Sequence, residues 1–363
     1  MCILALADDM TGALEVGAKF QIAGMPALIS ARPLNASDTS VIVFDTETRH
    51  SSPEAAGQEI RRFVLNSASM RPRLVYKKTD STLRGNISAE LRALADLFPK
   101  WRIGYAPAYP ALGRTVKNGV LYVDGIAVAK TAFAHDILNP VHDSSVCAIL
   151  EPQLPCTVFD GATDADLATT AAAILSDETM CIAAGPAGLA AAIAQQLHPP
   201  GCTSPLPKVR RCLVMNGSLH KHSAEQIQRA EAQRCISRRA GASWRILQKS
   251  YDASAAPTEV ARENGRFLLQ QIAAGDPDAV LVIGGDTAFA LIAALGLPTL
   301  IPIDEVVPGI PVSRVRASQL AHILPGRKRD LLLITKAGGF GSTDVLRRIR
   351  ALLDNDGLRN HNR

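Results

Sequence analysis

The stretch YKKTDSTLRGN, Tyr76 to Asn86, gathers two lysines, an aspartate, hydroxyls and an arginine between an apolar "LV" and the helix-like ISAELRALADLF. Lys78, Thr79, Asp80, Ser81 and Arg84 fall within seven positions. A cation there neutralises a carboxylate, hydroxyls orient it, and Asp80 can read an alcohol or take its proton. The turn runs into a helix whose amino end also favours anions. A small hydroxylated anion suits such a cluster; a merely solvated loop is the competing reading.

Two other runs end in comparable groups. Asp8 and Asp9 follow CILALA, and carboxylates there can accept from substrate hydroxyls, hold a metal or take a proton. Alternatively, Asp9 or Thr11 simply caps the next helix. In FDTETRH, Arg49 has the planar fork for a carboxylate or phosphate, although a lone arginine also serves as a surface ion pair. Arg114 and Lys117 lie in APAYPALGRTVKNGVLYVDG, a hairpin-like return that either covers a substrate or is structural.

Further along, the chemistry changes from charge to glycine. VLVIGGDTAFALIAALG brings Gly284 and Gly285 to the end of an apolar run, with Asp286 and Thr287 opening a helix. ITKAGGFGSTD repeats the pattern with Lys336, Gly338, Gly339 and Gly341, and MNGSLHKHS offers Gly217 and Ser218. Glycines let a phosphate approach the backbone, and free N–H groups at a helix start hold it. Neither GxxxxGK[ST] nor GxGxxG occurs, so each run alone is a weak nucleotide signal and each glycine has a packing explanation.

Elements of one kind must present all these clusters. Short apolar runs alternate with helical periodicity, as in Glu54 to Leu65 and Ser88 to Phe98, where Asn86 or Ser88 caps the start. The fold class is therefore α/β: two domains, each with a largely parallel sheet flanked by helices. The 363 residues suit two such domains, and HPPGCTSPLPKVRR reads as their linker. The boundary falls near Leu206, giving a substrate domain over 1–205 and a nucleotide domain over 206–363. Ligands of open α/β sheets bind beyond the carboxyl ends of strands. The expected active site is the cleft between the domains, with the domains closing on each other when both ligands bind. The tail GLRNHNR is expected to fray.

Composition removes other classes. With 47% hydrophobic and 20% charged residues the chain is globular, not disordered. A net charge of +5 without a basic stripe, and 4% aromatics, argue against nucleic acid. Acids interrupt MCILALADDM within ten residues, so it reads as a buried strand and not a signal or membrane segment. Cys2, Cys147, Cys156, Cys181, Cys202, Cys212 and Cys235 show no CxxC spacing and read as reduced thiols of a cytoplasmic protein.

Taken together, ALADDMTGALEVGAKF, KKTDSTLRGN, APAYPALGRTVKNGVLYVDG, GPAGLA, NGS, GGDTA, PGIP and KAGGFG resemble the signature of the four-carbon acid sugar kinases (DUF1537), collinear from Leu4 to Leu346. The resemblance implies an amino-terminal sugar-acid-binding domain and a carboxyl-terminal nucleotide-binding domain. It also implies ATP-dependent phosphorylation of the terminal hydroxyl of threonate, erythronate or 3-oxo-tetronate. Family substrate contacts then fall on Asp9, Arg49 and Lys78 to Ser81, and ATP contacts on Ser218, Gly284 to Thr287 and Gly338. The glycine repeat adds Gly339. Two departures stand out: the segment between NGS and GGDTA is short for the family, and His220, Lys221 and His222 replace small or apolar residues.

Phosphoryl transfer needs alignment and charge neutralisation, with Mg2+ accompanying ATP. On that basis Arg49, Lys78 and Ser81 hold the acid end, with Arg84 beside them. Asp9 or Asp80 meets the reacting hydroxyl as positioning group or base, and Asp286 orients magnesium or the ribose. A homodimer is compatible with this reading. A sugar-acid sensor would need only the first site, and a metal-dependent lyase or aldolase could use Asp8 and Asp9 without a nucleotide.

Overall fold

The computed structural model describes residues 2–34, 39–198, 205–218, 220–249 and 256–354. Residues 199–204 of the expected linker, and the tail GLRNHNR, lie outside them. The chain divides into two compact units, Met1–Cys202 and Thr203–Arg363.

The first unit contains β1 (Ile3–Ala7), α1 (Met10–Ile22), β2 (Ala27–Ser30), β3 (Val41–Asp45), α2 (Pro53–Asn66), β4 (Leu74–Lys78), α3 (Ile87–Leu97) and β5 (Ile103–Tyr105). The small strands β6 (Arg114–Lys117), β7 (Val120–Val123) and β8 (Ile126–Ala127) follow, then β9 (Cys156–Val158), α4 (Asp164–Ser176), β10 (Ile182–Gly185) and α5 (Ala187–Leu197). Its main sheet runs β2-β3-β1-β4-β10-β5-β9, all parallel. Every residue of β1, β3 and β4 is buried, as expected for strands covered by helices on both faces. Helix α5 packs against α1 and α4, and α2 packs against α3. The expected hairpin is present as antiparallel β6 and β7, extended by β8.

This strand order decides where a ligand fits. From β1 the chain turns to β2 and β3 on one side, and then returns to β4 on the other. The crevice beyond the ends of β1 and β4 is thus a topological switch point. In register, Ala7 stands opposite both Asp45 and Lys78, so the polar segments after β1, β3 and β4 emerge side by side.

The second unit contains β11 (Cys212–Asn216), α6 (Lys221–Ala232), β12 (Trp244–Leu247), α7 (Pro257–Gly275), β13 (Ala279–Ile283) and α8 (Gly285–Ala294). It continues through β14 (Leu300–Val307), β15 (Ile310–Val315), α9 (Ala317–Leu320), β16 (Leu331–Lys336) and α10 (Val345–Asp354). Strands β12-β11-β13-β16 are parallel, whereas β15 and β14 add an antiparallel hairpin on one side. The run PTLIPIDEVVPGIP departs from the largely parallel pattern: Gly309 turns back with φ 76° and makes a hairpin. Here too the chain leaves β11 on one side and returns on the other, so the switch point lies between β11 and β13. Two helices meet closely on this sheet: a Cβ at Gly265 of α7 would lie 2.6 Å from the Ala290 backbone of α8.

Candidate active site

At the switch point of the first unit, acids and cations are paired almost completely. Arg49 grips Asp8 with two hydrogen bonds, Nε to Oδ2 at 2.7 Å and Nη2 to Oδ1 at 3.0 Å. Its Nη1 donates to Asp9 Oδ2 at 2.7 Å, and Nη2 lies 3.9 Å from Asp80 Oδ1. The fork expected to take a substrate carboxylate is therefore filled by Asp8, and Arg49 acts first as a clamp on Asp8 and Asp9. Burial pushes the Asp8 carboxyl up, but Arg49, Lys77 and Lys78 outweigh it and hold the group below its ordinary value.

The turn after β4 is organised around Asp80. Thr82 N–H donates to Asp80 Oδ2 at 2.9 Å, the Thr82 hydroxyl bonds the same oxygen, and Leu83 (φ 66°) and Gly85 (φ 87°) take left-handed conformations. Arg84 closes the turn with Nε to Oδ2 at 3.1 Å and Nη2 to Oδ1 at 2.9 Å, and its Nη1 reaches Asp136 at 3.0 Å. Burial alone would raise Asp80, yet Arg84 and Arg49 hold it well below the usual carboxylate range. A carboxylate so stabilised is a weak base near neutral pH. Thr79 N–H donates to Gly185 O at 3.1 Å, tying the turn to GPAGLA. Lys78 is buried with its ammonium 2.9 Å from Thr79 O, and a Cβ at Gly12 would come within 2.8 Å of it. Ser81 is partly exposed on this turn.

Asp9 differs from its neighbours. One oxygen caps α1 through Gly12 N–H at 2.9 Å and the other meets Arg49, yet its side chain keeps 21% exposure against 3% for Asp8 and 8% for Asp80. Capping thus leaves this carboxylate partly open to solvent. Asn86 stands at the N-cap position of α3 as expected, but its side chain bonds Thr48 O and Ser51 O, each at 2.8 Å, and makes no cap hydrogen bond. Arg114 is partly buried and bonds its own loop at Leu112 O, while Lys117 at the end of β6 is exposed.

In the second unit, three glycine-bearing ends come from the adjacent strands β11, β13 and β16. Gly284 adopts φ 114°, and a Cβ there would lie 3.3 Å from Gly217 C and Ser218 N. Added at Gly217, a Cβ would fall 1.9 Å from the Thr287 hydroxyl; at Gly338, 2.0 Å from the Ser218 hydroxyl; at Gly339, 3.0 Å from His220 Nε2. Ser218, Gly284, Thr287, Gly338 and Gly339 therefore converge, and only glycine allows it. Gly285 and Asp286 open α8, with Asp286 exposed. Beside Gly217 and Ser218 lies a cavity of about 310 Å³ lined by apolar Met215, Ile227, Ile246 and Val260 and by polar Gln228, Arg238, Gln248 and Lys249.

Comparison with known proteins agrees with both halves. Residues 3–157 match the sugar-binding N-terminal domain model and residues 237–346 the nucleotide-binding C-terminal domain model. A D-threonate kinase from Bordetella bronchiseptica is 29% identical over 399 residues, covering 94% of this chain and 95% of that one. The chain belongs to the four-carbon acid sugar kinase family. A DUF1537 crystal structure from Bordetella bronchiseptica, with bound citrate and a domain-swapped dimer, is 26% identical with a TM-score of 0.51 over 97% of this chain and 98% of that one. A Haemophilus influenzae DUF1537 protein shares the fold at TM-score 0.69 and 17% identity, over 96% of this chain and all of that one (100%).

Several residues of this family member escape a reading by strand ends. Glu90 of α3 is 1% exposed, ion-paired with Lys77 at 3.0 Å and hydrogen-bonded by Thr48. Burial raises its carboxyl against the pull of Lys77. It lies three residues after Ile87 on the apolar stripe of α3, a position that forecasts burial. Asp45 is buried and held well above the ordinary carboxylate range by burial, then by Glu47 and Asp9. Glu47, at φ 47°, accepts from Met10 N–H at 3.1 Å and helps cap α1. In HKHS, His220 accepts the His222 N–H on Nδ1 at 3.1 Å and caps α6, while His222 Nε2 lies 2.8 Å from Gly341 O. Among the described residues no group of three or more His, Cys, Asp and Glu is arranged to hold a metal ion, and no helix is long and apolar enough to cross a membrane.

Proposed function

We propose that this protein transfers the γ-phosphoryl group of ATP to the terminal hydroxyl of a four-carbon sugar acid, with a threonate-type acid the first candidate. One observation carries the reading: a charged cluster sits at a switch point of strand order in the first unit and a glycine-lined cluster at one in the second, in a chain of the sugar-acid kinase family. An acid binder needs only the first; a phosphoryl donor accounts for both.

The roles follow from exposure and pairing. Asp9, the most accessible of the three paired carboxylates, meets the acceptor hydroxyl and orients it or takes its proton. Arg49 fixes Asp9 and, with Lys78, Thr79, Ser81 and Arg84, supplies positive charge and donors for the acid end. Asp80, held ionised, positions Arg84 instead of exchanging protons. The nucleotide fits on two counts: glycines allow its phosphates onto backbone N–H groups of the β11, β13 and β16 loops, and the cavity has room for a nucleoside. Ser218, Gly284, Gly285, Thr287, Gly338 and Gly339 would hold the phosphates, with Asp286 facing the ribose or the magnesium. Magnesium bound with the phosphates would neutralise charge on them. Free thiols at Cys2, Cys147, Cys156, Cys181, Cys212 and Cys235 support a cytoplasmic setting. The relative's dimer supports examining this protein as a homodimer.

An ATP-consumption screen over D- and L-threonate, D- and L-erythronate and 3-oxo-tetronates tests the reading. Acid-dependent ADP release is expected. Nucleotide binding without turnover on any of these acids would return the protein to the sensor class.

A further inference from the structure

In the loop after β16, the carbonyls of Ala337, Gly338, Phe340, Gly341 and Ser342 accept from two buried side chains. Lys336 Nζ donates to the carbonyls of Ala337, Gly338 and Phe340, each at 2.9 Å. From α6, Gln226 Nε2 donates to Phe340 O at 2.9 Å and to Gly341 O and Ser342 O at 3.0 Å. Both side chains are buried, at 1% and 0% exposure. The Gln226 amide has one workable orientation, since the flipped form would set its oxygen against three carbonyl oxygens.

The opposite side of the loop bears on the phosphates. A peptide plane with its carbonyl drawn one way carries its N–H the other way, and successive N–H groups so turned form an anion-binding concavity. Phe340 N–H is spent on the turn to Ala337 O at 3.1 Å, but the Gly338 and Gly339 N–H groups make no hydrogen bond among the described residues. No Cβ covers these two residues, and they face Ser218 and His220 on the β11 loop. Five carbonyl dipoles left loose beside a polyphosphate would repel it; here all five are engaged from behind.

We propose that Lys336 and Gln226 are positioning residues for the nucleotide's phosphates: Lys336, by holding the Ala337 and Gly338 carbonyls, presents the Gly338 and Gly339 amides to the anion, and Gln226 fixes the rest of the loop through the Phe340, Gly341 and Ser342 carbonyls. The inference rests on the kinase reading above. Neither residue touches the nucleotide, so its effect depends on how much phosphate the ligand carries.

Isothermal titration of the full chain with adenosine, ADP and a non-hydrolysable ATP analogue reads that dependence. Gln226→Leu and Lys336→Met should each weaken ADP and the ATP analogue by about tenfold or more, with adenosine unchanged. Lys336→Arg, which keeps the cation, should recover part of the loss. If Gln226→Leu does not fold, Gln226→Glu keeps the volume, removes the donors and is expected to show the same selective loss. Equal losses for adenosine and the ATP analogue, or unchanged affinities in folded variants, would overturn the proposal while leaving the kinase intact. A wild-type protein that binds none of the three removes the kinase reading, and this inference with it.

Discussion

A single methyl group at Gly338 probes whether the β16 and β11 loops must touch for nucleotide to bind. In Gly338→Ala the new Cβ would lie 2.0 Å from Ser218 Oγ and 2.7 Å from Ser218 Cβ. The hydroxyl can rotate away, but the Cβ is fixed to the backbone, so the loops must part by several tenths of an ångström. Overpacking of this size costs about 1–3 kcal/mol, roughly 5- to 150-fold in an equilibrium. The dissociation constant of a non-hydrolysable ATP analogue should rise within that range. Ser218→Gly removes both clashing atoms, leaving His220 Cβ at 3.4 Å, an ordinary contact. In that background the same alanine should therefore cost less than about 0.5 kcal/mol. Titration calorimetry on the four proteins of the cycle, with thermal unfolding as a control, measures the coupling. Strict additivity, with alanine equally costly in both backgrounds, would refute the claim that these loops meet through the missing Cβ.

Other expectations follow from the same geometry. Asp9→Asn should lower kcat by roughly 10²-fold or more with ATP affinity unchanged, as steady-state kinetics and titration would show. Arg49→Lys, which loses the fork on Asp8, should raise KM for the acid and lower the melting temperature; an unchanged KM would confine Arg49 to a structural role. Glu90→Ala leaves Lys77 buried without its partner and should destabilise the protein by about 3–5 kcal/mol in denaturant unfolding. Burial pushes the Lys336 ammonium down to about 8 from 10.5, so the unfolded chain binds more protons between those values. Its contribution to stability should rise with pH across that window, and Lys336→Met should flatten this part of the stability profile.

What was legible in the sequence is what local chemistry dictates. Apolar runs followed at once by charge or glycine located the loops after β1, β3, β4, β11, β13 and β16, because parallel strands end where polar groups reach solvent. Partners were not legible. Arg49 meets Asp8 across 41 positions, and Gln226 reaches the Phe340 carbonyl across 114; no local pattern encodes such pairs. Glu90 is a charge on an amphipathic helix, and only its offset from Ile87 marks it as inward-facing. The β14–β15 hairpin was hidden because a strand buried on both faces has the same apolar composition whichever way it runs.

Phosphorylation of a terminal alcohol on a sugar acid is tested most directly by the product itself. Proton-coupled ³¹P NMR of a reaction containing the enzyme, Mg2+, ATP and D-threonate should show a new phosphomonoester split into a triplet by the two protons of the terminal carbon. The signal should be absent with Asp9→Asn over the same interval. Release of inorganic phosphate alone, or an ester split into a doublet by a secondary carbon's single proton, would contradict the assignment of the acceptor hydroxyl.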